Sequence, residues 1–140
     1  MDTKLKSDIA EVMVAKELLK RGFNVLKPWG DRLAYDLAVD DNGRFIRLQV
    51  KAAWYNPKKK MFIVDNRRTQ TNRLRMKRNL YKSSDFDFAI LVILESDAFY
   101  ILPIKVFLSY ASSIALVENG KRQRLPRSAQ YRDKWDLLKA

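Results

Sequence analysis

One stretch constrains the fold more than any other: residues 35–53, where two alternating segments meet at Asn42-Gly43. Asn-Gly is the dipeptide best suited to the positive φ angles of a two-residue hairpin turn. Beyond it, Ile46, Leu48, Val50 and Ala52 fall on one face of a strand, and Phe45, Arg47, Gln49 and Lys51 on the other. Residues 35–53 therefore predict a β-hairpin, with Asp36 at the start of its first strand and Gln49 and Lys51 projecting together from its second.

Helical spacing precedes the hairpin. Leu5, Ile9, Val12, Met13, Val14, Leu18 and Leu19 recur over residues 5–19, and Gly22 follows the basic pair Lys20-Arg21 as a helix stop. A short strand is expected over 23–27, ended by Pro28, and then a loop through Trp29, Gly30, Asp31 and Arg32. Downstream, 61–64 reads as a strand, 88–94 as a fully buried strand, 95–97 as a turn and 99–102 as that strand's partner. Residues 104–108 read as a short helical or extended segment, Asn119-Gly120 as another turn, and 131–138 as a short amphipathic helix. A helix followed mostly by strands suggests an α/β fold with a mixed central sheet. With 140 residues and no visible linker or repeat, one domain spanning 1–140 is expected.

Composition narrows the chemistry. The 28 Lys and Arg outnumber the 16 Asp and Glu, a formal charge of +12 that favours a polyanionic partner. The longest apolar run is too short to span a bilayer and the N-terminus lacks a secretory stretch, so a cytoplasmic nucleic-acid binder is expected. The chain has no Cys and no His. Thiolate nucleophiles, zinc ribbons, imidazole bases and His-liganded zinc are excluded. Any hydrolysis must rest on carboxylates, Lys, Tyr and a hard cation with oxygen ligands, magnesium or manganese.

Hydrolysis of a phosphodiester without His needs carboxylates to hold such a cation and a group to position water. Asp36, Gln49 and Lys51 meet across the hairpin. Glu11 reaches them if its helix packs over the sheet's edge. Taken singly, Glu11 on a solvated helix face, Asp36 in a turn, and Gln49 and Lys51 on the wet side of a hairpin are each ordinary; together they are a candidate active site.

An acid at a strand start, a hairpin, then an acid or amide, any residue and Lys resembles the PD-(D/E)xK nuclease motif, here Tyr35-Asp36 and Gln49-Val50-Lys51 with Glu11 upstream. The surrounding segments resemble the PD-(D/E)xK homing endonucleases encoded by group I introns in cyanobacteria, over about residues 7–138. Tyr35 stands at the motif's Pro, and Gln49 at its acid. A neutral amide brings an oxygen but no charge. The resemblance implies a restriction-endonuclease-like core, a mixed sheet flanked by helices with a basic β-ribbon extension. It also implies a site-specific, double-strand DNA cut leaving a 5′-phosphate and a 3′-hydroxyl. Glu11, Asp36, Gln49 and Lys51 would be catalytic. Asp36, Glu11 and the Val50 carbonyl would hold Mg²⁺, for which Mn²⁺ would substitute, as one firmly held ion rather than two.

The basic region 54–82 is read as a DNA-binding insertion. Between 58 and 82 ten basic residues stand against one acid, interleaved with Asn66, Thr69, Gln70, Thr71 and Asn72. An extended β-ribbon in the DNA groove is expected, its contacts drawn from Lys58, Lys59, Lys60, Arg67, Arg68, Gln70, Asn72, Arg73, Arg75 and Lys77, with Arg32 and Arg47 beside the hairpin. Lys121, Arg122, Arg124 and Arg127 form a second basic cluster, either backbone contact or plain surface. Trp54 and Tyr55 are read as core or interface rather than stacking platforms. A double-strand cut calls for at least two active sites, hence a homo-oligomer, with tetramer preferred over dimer from the resemblance. Two alternatives stay open: a Holliday-junction resolvase, and a non-catalytic DNA-binding protein on a relic nuclease fold.

Overall fold

The structure, a computed structural model, describes residues 1–71, 76–118 and 124–139. Helix α1 (Thr3–Lys20) begins where the Asp2 side chain accepts a 2.8 Å hydrogen bond from the Lys4 N–H, an N-cap. It ends in a Schellman arrangement: Gly22, at φ +87°, donates to the Leu19 carbonyl and Phe23 to that of Leu18, both at 3.0 Å. Phe23 is thereby turned into the core. The buried stripe of α1 is Ala10, Val14 and Leu18, flanked by Met13 and Ala15. It is narrower than the apolar sequence suggests, because Leu5, Val12 and Leu19 face outward.

Strand β1 (Asn24–Leu26) pairs antiparallel with β2 (Leu37–Asp41), and β2 with β3 (Arg44–Ala52) through the expected hairpin. Asn42 and Gly43 have φ of 53° and 89°, and Asp40 Oδ1 accepts from the Gly43 N–H at 2.8 Å. The chain leaves β3 for a small antiparallel sheet, β4 (Trp54–Asn56) against β5 (Met61–Asp65). It then forms a separate two-stranded ribbon of β6 (Arg67–Thr71) and β7 (Met76–Leu80). Strand β8 (Phe88–Ile93) returns parallel to β3, and β9 (Ala98–Pro103) pairs antiparallel with β8. The resulting order, β1-β2-β3-β8-β9, is the mixed sheet the sequence predicts. Helix α2 (Ile104–Leu108) resolves the helical-or-extended segment in favour of helix. Strand β10 (Ser113–Leu116), which the sequence reading did not anticipate, joins β5 to complete a three-stranded sheet.

Both faces of the large sheet are covered. On one, the α1 stripe packs against Leu37, Val39, Ile46, Leu48, Val50, Ile90 and Val92, closed by Trp135 and Leu138 from the tail. On the other, Ala89, Leu91, Ile93, Tyr100 and Leu102 meet Phe107 of α2, Val64 of β5, and Ile114 and Leu116 of β10. A central strand buried on both faces must be apolar throughout, which explains the continuous run in β8. Helix α1 lies across the face of the sheet, over β3 and out to the edge strand β1. Its stripe is covered by the broad apolar surface that neighbouring strands offer together.

The tail corrects another expectation. Instead of one helix over 131–138, two 3-10 turns occur, Arg127–Tyr131 and Trp135–Leu138. Asp133 between them has φ 54°, which interrupts any helix, and its N–H donates to the Phe99 carbonyl at 2.9 Å. Arg132 forms a β-bridge with Tyr100 and holds Glu118, which also accepts from the Tyr100 hydroxyl. The tail thus shields the edge of β9. The predicted Asn119-Gly120 turn, with Lys121 and Arg122, lies outside the described residues. Among those described, no helix is long and apolar enough to cross a membrane.

Candidate active site

Asp36 stands one residue before β2, where its N–H donates to the Leu48 carbonyl at 2.9 Å. Leu37 pairs with Leu48, so Asp36 stands just past the last paired position, with its side chain against Gln49 and Val50. Strand alternation sends Gln49 and Lys51 to the face opposite the α1 stripe. Glu11 arrives from the helix side and joins them at the strand ends. Glu11, Asp36, Gln49, Val50 and Lys51 line one cleft of about 1130 Å³, with Thr3 and Ser7 of α1 on its rim. The sequence-derived constellation is therefore brought together whole, although Glu11 reaches it from a helix on the sheet's face.

Asp36 Oδ2 accepts from Gln49 Nε2 and from the Val50 N–H, both at 2.8 Å. Burial lifts the Asp36 carboxyl from its ordinary 3.8 to about 6; the Val50 N–H and the charges of Lys51 and Lys27 oppose the rise, and the Glu11 charge adds to it. Gln49 is buried, and its Nε2 also donates to the Val50 carbonyl at 3.3 Å. An ionised acid at this position could not make either bond, so the amide departure has a local role: it satisfies a half-buried carboxylate. Lys51 Nζ donates to the Arg67 carbonyl at 2.9 Å and sits 5.0 Å from the centre of the Tyr81 ring.

Two neighbours escaped the sequence reading. Lys27 Nζ donates to Glu11 Oε1 at 2.8 Å; this ion pair raises the Lys27 pKa against the opposing effect of burial. Tyr81 lines the cleft from beyond the ribbon. No spacing signal links residue 27 to residue 11, or 81 to 51, because both contacts depend on how separate elements pack.

The proposed DNA contacts divide. Lys58, Lys59 and Lys60 are exposed in the β4–β5 turn, where Asn56 Oδ1 accepts the N–H groups of Lys58 and Lys59 at 3.1 Å. Arg32 and Arg67 are exposed. The backbone of Arg68, Gln70 and Lys77 lies in the paired ribbon, whereas Asn72, Arg73 and Arg75 lie outside the described residues. Arg47 is committed within the fold: it grips both Asp87 oxygens at 3.4 Å and donates to the Ser84 carbonyl at 2.6 Å. Trp54 and Tyr55 are not core. Each is about half exposed, and Trp54 lines the cleft.

The cleft brings together the carboxylates of Glu11, Asp36 and Asp65, a main-chain carbonyl, a buried amide and a lysine. Comparison with known proteins gives the family. Residues 1–138 match the PD-(D/E)XK endonuclease family. The solved structure of a bacterial homing endonuclease, I-Ssp6803I, superposes with a TM-score of 0.91 at 49% identity, covering 99% of this chain and 93% of that one. No curated protein matches the chain significantly. Matched over nearly its full length in sequence and in fold, the chain belongs to the PD-(D/E)XK family and is an endonuclease.

Proposed function

We propose that the chain is a homing endonuclease that cuts both strands of DNA at a specific site by Mg²⁺-dependent phosphodiester hydrolysis. The observation that carries this reading is the meeting of Glu11, Asp36 and Lys51 in one cleft. The similarity to I-Ssp6803I over almost the whole chain supports the homing type.

Nucleases of this family use divalent metal ions. The residues fit one. The hydrogen bonds on half-buried Asp36 come from neutral donors, and Glu11 adds a like charge beside it, a pair that a dication would neutralise. Two carboxylates suit Mg²⁺, which is commonly held by one or two while keeping several waters. Asp36, Glu11 and the Val50 carbonyl would hold one such ion, with Mn²⁺ able to replace it. When bound, it supplies neutralisation of charge on the phosphate and a polarised water. Asp36 acts as the ionised ligand, and Gln49 orients its carboxylate. Lys51 steadies the attacking water or the charge developing on the phosphate, and the products carry a 5′-phosphate and a 3′-hydroxyl.

The exposed lysines of the β4–β5 turn and the ribbon with Arg67 form the DNA-facing surface, and the net +12 favours that partner in the cytoplasm. One cleft cuts one strand, so the active form is a homo-oligomer, a tetramer in preference to a dimer. Sedimentation of the free protein should give a multiple of the 16.5 kDa chain; a monomer that still makes double-strand cuts would refute this.

The decisive experiment incubates the protein with Mg²⁺ and genomic DNA, sequences the ends produced, and repeats the reaction with Lys51→Met and with a four-way junction. One recurrent duplex site, lost in Lys51→Met while DNA affinity stays within about threefold, is expected. Unchanged cutting by Lys51→Met would remove Lys51 from the site, and junction-only cutting would replace the homing reading with a resolvase.

A further inference from the structure

Lys51 is held by the two ends of the basic ribbon. Arg67 is the first residue of β6, and its carbonyl accepts the Lys51 ammonium at 2.9 Å. Tyr81 directly follows Leu80, the last residue of β7, and its ring faces the same ammonium at 5.0 Å. Arg67 and Leu80 are register partners, so the pair closes the ribbon at its root. The chain therefore leaves the body of the protein at one contact with this lysine and re-enters it at the other.

The two contacts differ in stiffness. Tyr81 is buried and packed edge-on against Phe86 at 5.3 Å and Phe107 at 5.8 Å, and those two rings pack on each other at 5.5 Å. Three rings locked in this way form a fixed wall whose π-face attracts an ammonium. Arg67, by contrast, is exposed: its N–H donates to Asp65 Oδ1 at 2.9 Å just past the anchored Asn66, and from there the ribbon extends with β6 and β7 paired, among the described residues, only with each other. The Lys51 backbone cannot move to compensate, because β3 is paired on both sides, with β2 and with β8. Only the side chain can respond to the root.

We propose that Tyr81 is the positioning residue for Lys51, and that seating the ribbon on target DNA shifts the Arg67 carbonyl and releases the lysine along the Tyr81 ring toward the scissile phosphate. Target recognition and cutting are thus coupled through two contacts on one side chain. The inference rests on the reading of Lys51 as catalytic and assigns that residue its control.

Two measurements test it, using the full-length protein and the duplex found in the cleavage assay. In single-turnover cutting from a preformed complex, Tyr81→Leu should lose about 10- to 30-fold in rate, with affinity within about threefold. Tyr81→Phe, which keeps the ring face, should restore the rate. In the second measurement, wild-type protein carries ¹³C at the lysine ε-carbon, and the Lys51 signal is assigned by its absence from Lys51→Met. That signal should lie upfield in the free protein, from the ring current of Tyr81. In metal-free buffer it should move on adding target duplex, but not on adding an unrelated duplex of equal length. Full activity in Tyr81→Leu, a parallel fall of rate and affinity, no rescue by Tyr81→Phe, or an equal response to both duplexes would each overturn the proposal. The wild-type resonance decides the matter even if Tyr81→Leu fails to fold. Cutting by Lys51→Met would instead overturn the reading beneath it.

Discussion

Asp36 gives the cleft its electrostatic character, and the effect is visible in stability as well as catalysis. Burial first, and the nearby Glu11 charge after it, lift its carboxyl to about 6 from 3.8, so the folded chain holds this proton more tightly than the unfolded chain does. Its contribution is fully favourable below about pH 4 and is lost as pH rises through 6, a cost of about 2–3 kcal/mol by neutral pH in metal-free protein. Asp36→Asn removes that dependence. Thermal melts without metal should show the variant gaining about 2–3 kcal/mol on wild type between pH 4 and pH 8. A constant difference across that range would contradict the assignment. Cleavage by the variant should be abolished, since a neutral amide supplies no ligand charge. At this scale the period-two spacing of Gln49 and Lys51 and the hairpin register made three site residues legible. The bond from Gln49 to Asp36, which explains the missing acid, required coordinates.

Among the elements, the β2–β3 hairpin sets the candidate site, because it brings Asp36 within hydrogen-bond reach of Gln49. Its turn depends on Gly43 at φ 89°, a conformation that a side chain disfavours even though space is open there. Gly43→Ala should cost about 1–2 kcal/mol in chemical denaturation while leaving cutting intact below the melting transition. A neutral effect would mean that the turn does not hold the register. The hairpin, α1 and β8 were readable because each carries a strong local pattern. The tail was not: Trp135 and Leu138 have a spacing that suits an α-helix, but the bend at Asp133 splits the segment into two 3-10 turns. Strand β10 was missed because its four residues acquire strand character only by pairing with β5.

For the molecule as a whole, charge is the dominant property. If six to ten cationic groups of the turn, the ribbon and their surroundings meet phosphates, affinity for a duplex should fall about 10³- to 10⁵-fold between 50 and 200 mM salt. Titrations of fluorescent duplex across that range measure the slope, and a flat response would remove these residues from the interface. The contact inherited from Arg47 is not needed for this estimate, because its guanidinium is already paired with Asp87. The parallel pairing of β3 with β8 places the ribbon in the crossover between them, so the proposed DNA-facing surface and the lysine of the cleft share one piece of chain.

The sequence by itself determined the elements whose pattern is local and the chemistry its composition allows. It supplied a hairpin, a helix and a buried strand, and a site without His or Cys resting on Asp36 and Lys51. Tertiary structure alone decided where α1 lies, hence how Glu11 arrives, and what holds each site residue: Gln49 on Asp36, Lys27 on Glu11, and the ribbon's root on Lys51. The physical reason is range. Periodicity reports which way a side chain points along its own element, whereas partners 13 to 30 residues away are chosen by how the elements pack.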